Sequence, residues 1–575
     1  MKHSIEPMTL PQPHPITEGR QSPWHLLKRR SALYWLTAGV LATTLGLASC
    51  STQSSLPDVS AQGPRPKLVV LLVVDGLPQR QVMAYQDQWV ADGFARFFKQ
   101  GRAYNQAHYG HAFTVTAAGH AAMLSGAYSH RSGIIGNTWR DQQTGADVYC
   151  TSDSSATYIG HATKPLDGTS PKNLRVQSLG DVLKGLDARS KVLAVSGKDR
   201  GAILPAGKLG TAYMYMSSTG QFASSTHYMP AHPAWVNAFN QQKPADAYLG
   251  RTWQPLLPDA AYQRSLPDLQ TWYAPGGALP KTLATTPDAK FYTSLLPSPY
   301  ADEMTVAFAR AAIAGEQLGA DDAPDILSVS LSGHDYINHA YGAESRLSQD
   351  HFLRLDRMLQ DFFAYLDDKV GKDNYVAVLT ADHGFMPTPE HLSQMGKDGG
   401  RIDPRALLDR IRKALQPFGE GAWVHGFSGS SVLLNRELIA SQGKDATAMA
   451  QVVAQVLKQE PGIAAAYTRD ELLANPSPTD PLFAMMRKSW HPDVSGQVQY
   501  AVRSGWMFAT ARTGTTHGSP HEYDTHVPLL MYGPAWLKPA QVSQRVEVAD
   551  IAPTLAALLK VPAPAQSEGK LLPLR

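Results

Sequence analysis

Three aspartates and three histidines fall in four short blocks: Asp75 in VVDG, Asp335 and His339 in GHDYINH, Asp382 and His383 in TADHGF, and His517 in GTTHGSP. Each block follows a strand-like run or sits in a Gly-rich turn. Carboxylate oxygens and imidazole nitrogens together suit first-row divalent ions, and six donors are enough for two ions with positions left open for a substrate. An open two-metal site points to hydrolytic phosphoryl transfer. Asp335 and His339 are four apart, so one helical turn sets both on one face. Taken singly, each block has an ordinary alternative in a solvated or capping aspartate or a hydrogen-bonded core histidine. The four together, in this order, favour the metal reading.

Such donors need a rigid frame, and the pattern around them supplies one. Lys67 to Val74 (KLVVLLVV) is a continuous aliphatic run, as expected of a strand covered on both faces, and it delivers Asp75 at its carboxyl end. Lys191 to Ser196, Ile326 to Leu331, Tyr375 to Thr380 and Val527 to Met531 read the same way. Helical stretches lie between them. The clearest, from about Gln349 to Val370, carries Phe352, Leu355, Leu359, Phe362 and Leu366 on one stripe. This alternation predicts an α/β fold with a central, mostly parallel sheet and helices on both faces, with ligands at the strand ends. Two segments break it, at about 210–300 and 386–499, and are expected to be cap insertions over the active site. The first carries Trp235, Trp253 and Trp272, and the second the amphipathic stretch Pro404 to Leu415.

The first fifty residues read as a targeting segment. Lys28, Arg29 and Arg30 precede an uncharged stretch from Ala32 to Leu47, short for a membrane span, which ends in Leu47-Ala48-Ser49-Cys50. That ending resembles a bacterial lipobox, which implies cleavage after residue 49 and acylation of Cys50. Ser51 in the next position resembles the outer-membrane sorting pattern, and the Arg29-Arg30 pair leaves a twin-arginine export route open. Residues 50–66 then form a tether, and 67–575 the catalytic domain. The expected location is a lipid anchor on the outer membrane, facing the periplasm or the cell surface.

Composition narrows the rest. Of 52 Lys and Arg against 49 Asp and Glu, the leader holds five and two, which leaves 47 of each in the remainder and argues against nucleic-acid binding by bulk charge. With Cys50 lipidated, Cys150 is alone and is expected to be an inert buried thiol, so the fold has no intramolecular disulfide to rely on.

The blocks and their order resemble the alkaline phosphatase superfamily, in its bacterial threonine-nucleophile branch, over most of residues 67–210, 300–385 and 500–575. The resemblance implies an alkaline-phosphatase-like α/β sandwich with two Zn²⁺ per chain, one held by Asp335, His339 and His517 and the other by Asp75, Asp382 and His383. It matches the nucleophile block to FTVTAAGHAAMLSGAYSHRSGIIGN, residues 113–137, which places the attacking hydroxyl at Thr116, itself directed to the second metal, and a phosphate-binding amide at Asn137. The small Ala117, Ala118 and Gly119 beside Thr116 leave room for a phosphoryl group at a helix start. Thr114 is the rival hydroxyl, and an extended backbone would turn it to the opposite face. His120 reads as a packing residue.

KDRGAILPAG, residues 198–207, resembles the segment that gives the monoesterases a Lys and an Arg for phosphate, here Lys198 and Arg200. A monoester dianion carries one more charge than a diester, and a guanidinium can meet two of its oxygens. The implied activity is hydrolysis of small phosphate monoesters through a phosphothreonine intermediate. A phosphodiesterase or nucleotide pyrophosphatase using the same two metals is the alternative. A sulfatase is disfavoured because its formylglycine precursor motif is missing from the nucleophile block. A metal-stabilised surface lipoprotein that binds phosphate without turnover would keep the ligands but form no Thr116-dependent phosphoenzyme.

Overall fold

The computed structural model describes residues 63–474 and 478–574. The leader, with the acylation expected at Cys50, lies outside these residues. Among the described residues no helix is long and apolar enough to cross a membrane.

The frame is a nine-stranded sheet. Its strands in chain order are β1 (Leu68–Val74), β2 (Arg102–His108), β3 (Val192–Ser196), β4 (Thr211–Met216), β5 (Gln221–Ala223), β6 (Asp325–Leu331), β7 (Tyr375–Thr380), β8 (Leu529–Tyr532) and β9 (Ala540–Glu547). In space they run β9-β2-β8-β7-β1-β6-β3-β4-β5. The centre, from β7 through β1, β6 and β3 to β4, is parallel, while β8 is antiparallel to β7. All seven residues of β1 are buried, so both faces are covered, as its unbroken aliphatic run requires.

Four helices position or brace the strand ends: α1 (Thr116–Ser125), α2 (Asp199–Ala206), α3 (Gly333–Tyr341) and α4 (Arg346–Lys369). On α4, Phe352, Leu355, Leu359, Phe362 and Leu366 are all buried in the main core, the stripe read from the sequence. Phe352 stacks on Phe94 with ring centroids 4.8 Å apart. Cys150 is buried and unpaired. Burial pushes its thiol up to about 12, which leaves it inert at neutral pH.

The segment expected as a first insertion needs correcting at its start. Residues 211–216 form β4, parallel to β3, and 221–223 return beside it as β5. The alternation in TAYMYM is too short, and too rich in Met and Tyr, to stand out from the aromatic loops after it. Much of the remainder is core: Trp253 is fully buried, with its indole N–H on the Asp350 carboxylate 2.6 Å away, and Trp272 is buried too. The second segment has its own small core and a four-stranded antiparallel sheet ordered Val424–Ser428, Ser431–Leu434, Val498–Val502 and Ile463–Thr468. Helix Pro404–Ala414 lays Leu407 and Ile411 into that core. The structure therefore carries this segment past residue 499, through Val498–Val502 and on to Trp506–Phe508.

One close approach ties α1 to the sheet. A Cβ on Gly119 would run into the carbonyl oxygen of Asp382, at the end of β7. Gly185, inside the helix Leu179–Leu186, has open space around the same position. Gly119→Ala is therefore expected to cost about 1–3 kcal/mol, and Gly185→Ala to add about 0.4–1 kcal/mol, both read by urea denaturation. A neutral Gly119→Ala would mean that α1 does not pack against the β7 turn as described.

Candidate active site

Neighbouring parallel strands deliver the candidate residues from their carboxyl ends. Asp75 follows β1, Asp382 and His383 follow β7, Asp335 and His339 lie on α3 just after β6, and Lys198 caps α2 after β3. His517 comes from the loop before β8. Gly76 is needed at the crowded end of β1: its φ is +72°, its N–H donates to Asp382 Oδ1 at 3.0 Å, and a Cβ there would press on Asp335 Oδ1 at 3.1 Å.

The three imidazoles are oriented alike. Nδ1 of His339, His383 and His517 lies 2.9, 2.9 and 2.8 Å from the carbonyl oxygens of Thr515, Gly384 and Thr114. A carbonyl only accepts, so each Nδ1 carries a proton and each ring turns its Nε2 inward. What they face is acidic. Asp335 Oδ1 lies 3.4, 3.6 and 3.9 Å from Nε2 of His339, His517 and His383. Asp75 Oδ1 and Asp382 Oδ2 lie 3.5 and 3.4 Å from Nε2 of His383. These three carboxylate oxygens are buried and accept no hydrogen bond.

Burial drives the pKa values of His517 and His383 down, so neither ring supplies the missing charge. Burial, reinforced by the charge of Asp382, pushes the Asp75 carboxyl well above its usual range. Imidazole nitrogens converging on buried carboxylate oxygens that accept no hydrogen bond are costly by themselves and fit a multivalent cation. Asp335, His339 and His517 can grip one ion, and Asp75, Asp335 and His383 a second. The second grouping differs from the expected Asp75, Asp382 and His383 by sharing Asp335. The Lys198 ammonium bridges Asp75 Oδ2 and Asp335 Oδ2. Asp382 stays beside them, its Oδ1 accepting from the N–H groups of Gly76 and His383.

Thr116 is the first residue of α1 and is buried against this centre, with Oγ1 3.5 Å from His383 Nε2 and 3.5 Å from Arg200 Nη2. Thr114 points away, its hydroxyl donating to the Ser519 carbonyl at 2.9 Å. Asn137 accepts the Ala117 N–H on Oδ1 at 2.9 Å, which takes up one amide of the helix start and leaves the NH₂ end of its own side chain for a ligand. His120 braces Thr116 from behind, with Nδ1 2.9 Å from the Thr116 carbonyl and Nε2 2.9 Å from Ser330 Oγ on β6.

Lys198 and Arg200 part company. Lys198 lies on the carboxylates, and although burial opposes its charge, Asp335 and Asp75 outweigh that and keep it protonated. Arg200 reaches the nucleophile side. Its Nη1 donates to the Tyr149 hydroxyl at 3.2 Å, and that hydroxyl donates to Asp199 Oδ1 at 2.5 Å. Asp199 also accepts the Arg200 N–H, so Tyr149 and Asp199 together fix the guanidinium. Sequence reading missed both. Asp199 stands between the two residues it singled out, whereas Tyr149 lies in a segment without a pattern.

A cleft of ≈ 350 Å³ opens beside the centre. His339, His517 and Asn137 line its floor, and Phe113, Met386, Tyr500, Trp506 and Phe508 its walls.

The family model for type I phosphodiesterase / nucleotide pyrophosphatase matches residues 69–526. Alkaline phosphatase PafA of Elizabethkingia meningoseptica is 34% identical over 516 residues, 88% of this chain and 94% of that protein. Alkaline phosphatase PhoV of Synechococcus elongatus is 35% identical over 521 residues, 88% of this chain and 92% of that protein. The crystal structure of wild-type PafA superposes with a TM-score of 0.83 at 34% identity, covering 89% of this chain and 99% of that one. The chain belongs to the type I phosphodiesterase / nucleotide pyrophosphatase family, in the threonine-nucleophile branch of the alkaline phosphatase superfamily.

Proposed function

We propose that this protein is an alkaline phosphatase that hydrolyses small phosphate monoesters through a phosphothreonine at Thr116. The observation that carries the reading is the placement of one buried hydroxyl between the His383 imidazole nitrogen and a fixed guanidinium. Two zinc ions are the cofactor that the donor set fits, and when bound they supply Lewis-acid stabilisation of the attacking and leaving oxygens. The remaining work belongs to the chain. Thr116 Oγ1 bonds to phosphorus as the bond to the leaving alcohol breaks, and water then releases phosphate and restores the hydroxyl. Arg200 and the amide NH₂ of Asn137 hold the non-bridging oxygens. Lys198 adds positive charge while it fixes the spacing of Asp75 and Asp335.

The relatives named alkaline phosphatase support monoester hydrolysis over the diesterase alternative. Export and anchoring rest on the leader: Leu47-Ala48-Ser49-Cys50 supports acylation of Cys50, with Ser51 directing the protein to the outer membrane. Small phosphorylated compounds outside the cytoplasm are the expected substrates.

Replacing His383 or His517 with Ala removes a donor whose Nε2 faces the carboxylates. Activity is expected to fall by orders of magnitude and bound zinc to drop from about two per chain, measured by elemental analysis on the same sample. Full activity in either variant would contradict the site.

Arg200→Ala tests monoester preference. Its charge-assisted contact is worth about 1.5–3 kcal/mol, so kcat/KM for a monoester is expected to fall roughly tenfold to a hundredfold more than for a diester. Equal losses would remove Arg200 as the basis of preference, and a wild-type enzyme that prefers diesters would overturn the monoesterase reading.

Cys50→Ala is expected to leave an unprocessed, unacylated precursor, detected by intact mass. Wild-type protein recovered without a lipid at Cys50 would end the anchor reading.

A further inference from the structure

In-line displacement sets the leaving oxygen opposite the attacking one. Thr116 Oγ1 approaches from the side of His383, with Arg200 beside it. His517 stacks on His383 with ring centroids 3.3 Å apart, and it is His517 and His339, with Val115 and Asn137, that form part of the cleft's lining, which Thr116, Lys198 and Arg200 do not join. The cleft is therefore the space beside the centre into which the alcohol half of a substrate can extend. Its walls indicate which alcohol.

Tyr500 and Phe508 stand with ring centroids 5.2 Å apart, and Phe427 packs on both at 5.8 and 5.4 Å. Phe113, three residues before the nucleophile, shares the lining. Most polar atoms along this wall are already engaged, Asp524 Oδ1 being buried without a partner. The Tyr500 hydroxyl donates to the Gly429 carbonyl at 3.3 Å, Ser430 Oγ accepts from Gln499 at 2.7 Å, and the Trp506 indole N–H donates to Asp398 at 3.0 Å. Asp524, also on the lining, turns Oδ2 to the N–H groups of Gly518 and Ser519. The surface thus offers ring faces and edges, with no basic side chain for a second anion and few open hydrogen-bonding groups for a polyol.

We infer that this cleft is a leaving-group subsite selective for phosphate monoesters whose alcohol carries a planar ring, with Phe508 as a specificity-determining residue. The inference rests on the monoesterase reading. Both Tyr500 and Phe508 come from the second inserted segment, so that segment sets preference, while the sheet ends carry the chemistry.

The test compares 2-phenylethyl phosphate with n-butyl phosphate, alkyl esters whose leaving alcohols are of similar acidity, so that the ratio of their kcat/KM values reads recognition of the ring. Wild-type enzyme is expected to favour the ring-bearing ester by about fivefold or more, the scale of one or two aromatic contacts. Phe508→Ala is expected to bring the ratio close to one, and Phe508→Leu, which keeps apolar volume, to an intermediate value. Zinc content measured on each variant shows that the centre is intact. A wild-type ratio near one overturns the subsite and leaves the phosphatase reading standing, as does a ratio unchanged in a zinc-replete Phe508→Ala enzyme. Absence of monoester turnover alongside diester turnover overturns the reading on which the subsite rests.

Discussion

Buried carboxylates facing imidazole nitrogens are the constraint on which the rest of this structure depends. Three backbone carbonyls accept hydrogen bonds from Nδ1 of His339, His383 and His517, and so turn the three Nε2 atoms toward Asp75, Asp335 and Asp382. Water cannot relieve the arrangement, because these carboxylates are essentially inaccessible. Lys198 answers part of the charge from one side. The rest calls for multivalent cations, and the same positive charge is what a phosphoryl group seeks.

The fold makes this cluster rigid at little local expense. Adjacent parallel strands end at one edge, so Asp75, Asp335, Asp382 and Lys198 converge because β7, β1, β6 and β3 are neighbours. The thin backbone of Gly119 lets α1 approach the Asp382 turn closely enough for Thr116 to meet His383. Support extends outward from there: His120 links the nucleophile to β6, and Tyr149 with Asp199 locks Arg200. Tyr500 and Phe508, which line the cleft, belong to a separate small core.

Much of this is legible in the sequence because the strongest signals are local. An unbroken aliphatic strand followed by Asp-Gly, or a Thr-Ala-Asp-His turn after a buried run, states both the element and what stands at its end. The helical stripe on α4 is readable for the same reason. How the donors group is less so, since Asp335 faces His339, His517 and His383 alike and only three-dimensional spacing shows that. The sheet's far edge escapes a sequence reading where β4 and β5 begin the first aromatic-rich segment. Tyr149 is invisible because its role is conferred by Asp199, fifty residues away in the chain.

Whether the polar cluster exists to hold cations is tested most directly by titrating zinc into the metal-free protein, followed by calorimetry and thermal unfolding at one pH. Saturation is expected at about two ions per chain, with a Tm that rises with free zinc, because binding to the folded state alone stabilises it. Metal-free protein that is already at full stability and takes up no zinc at this site would contradict the cation-binding role.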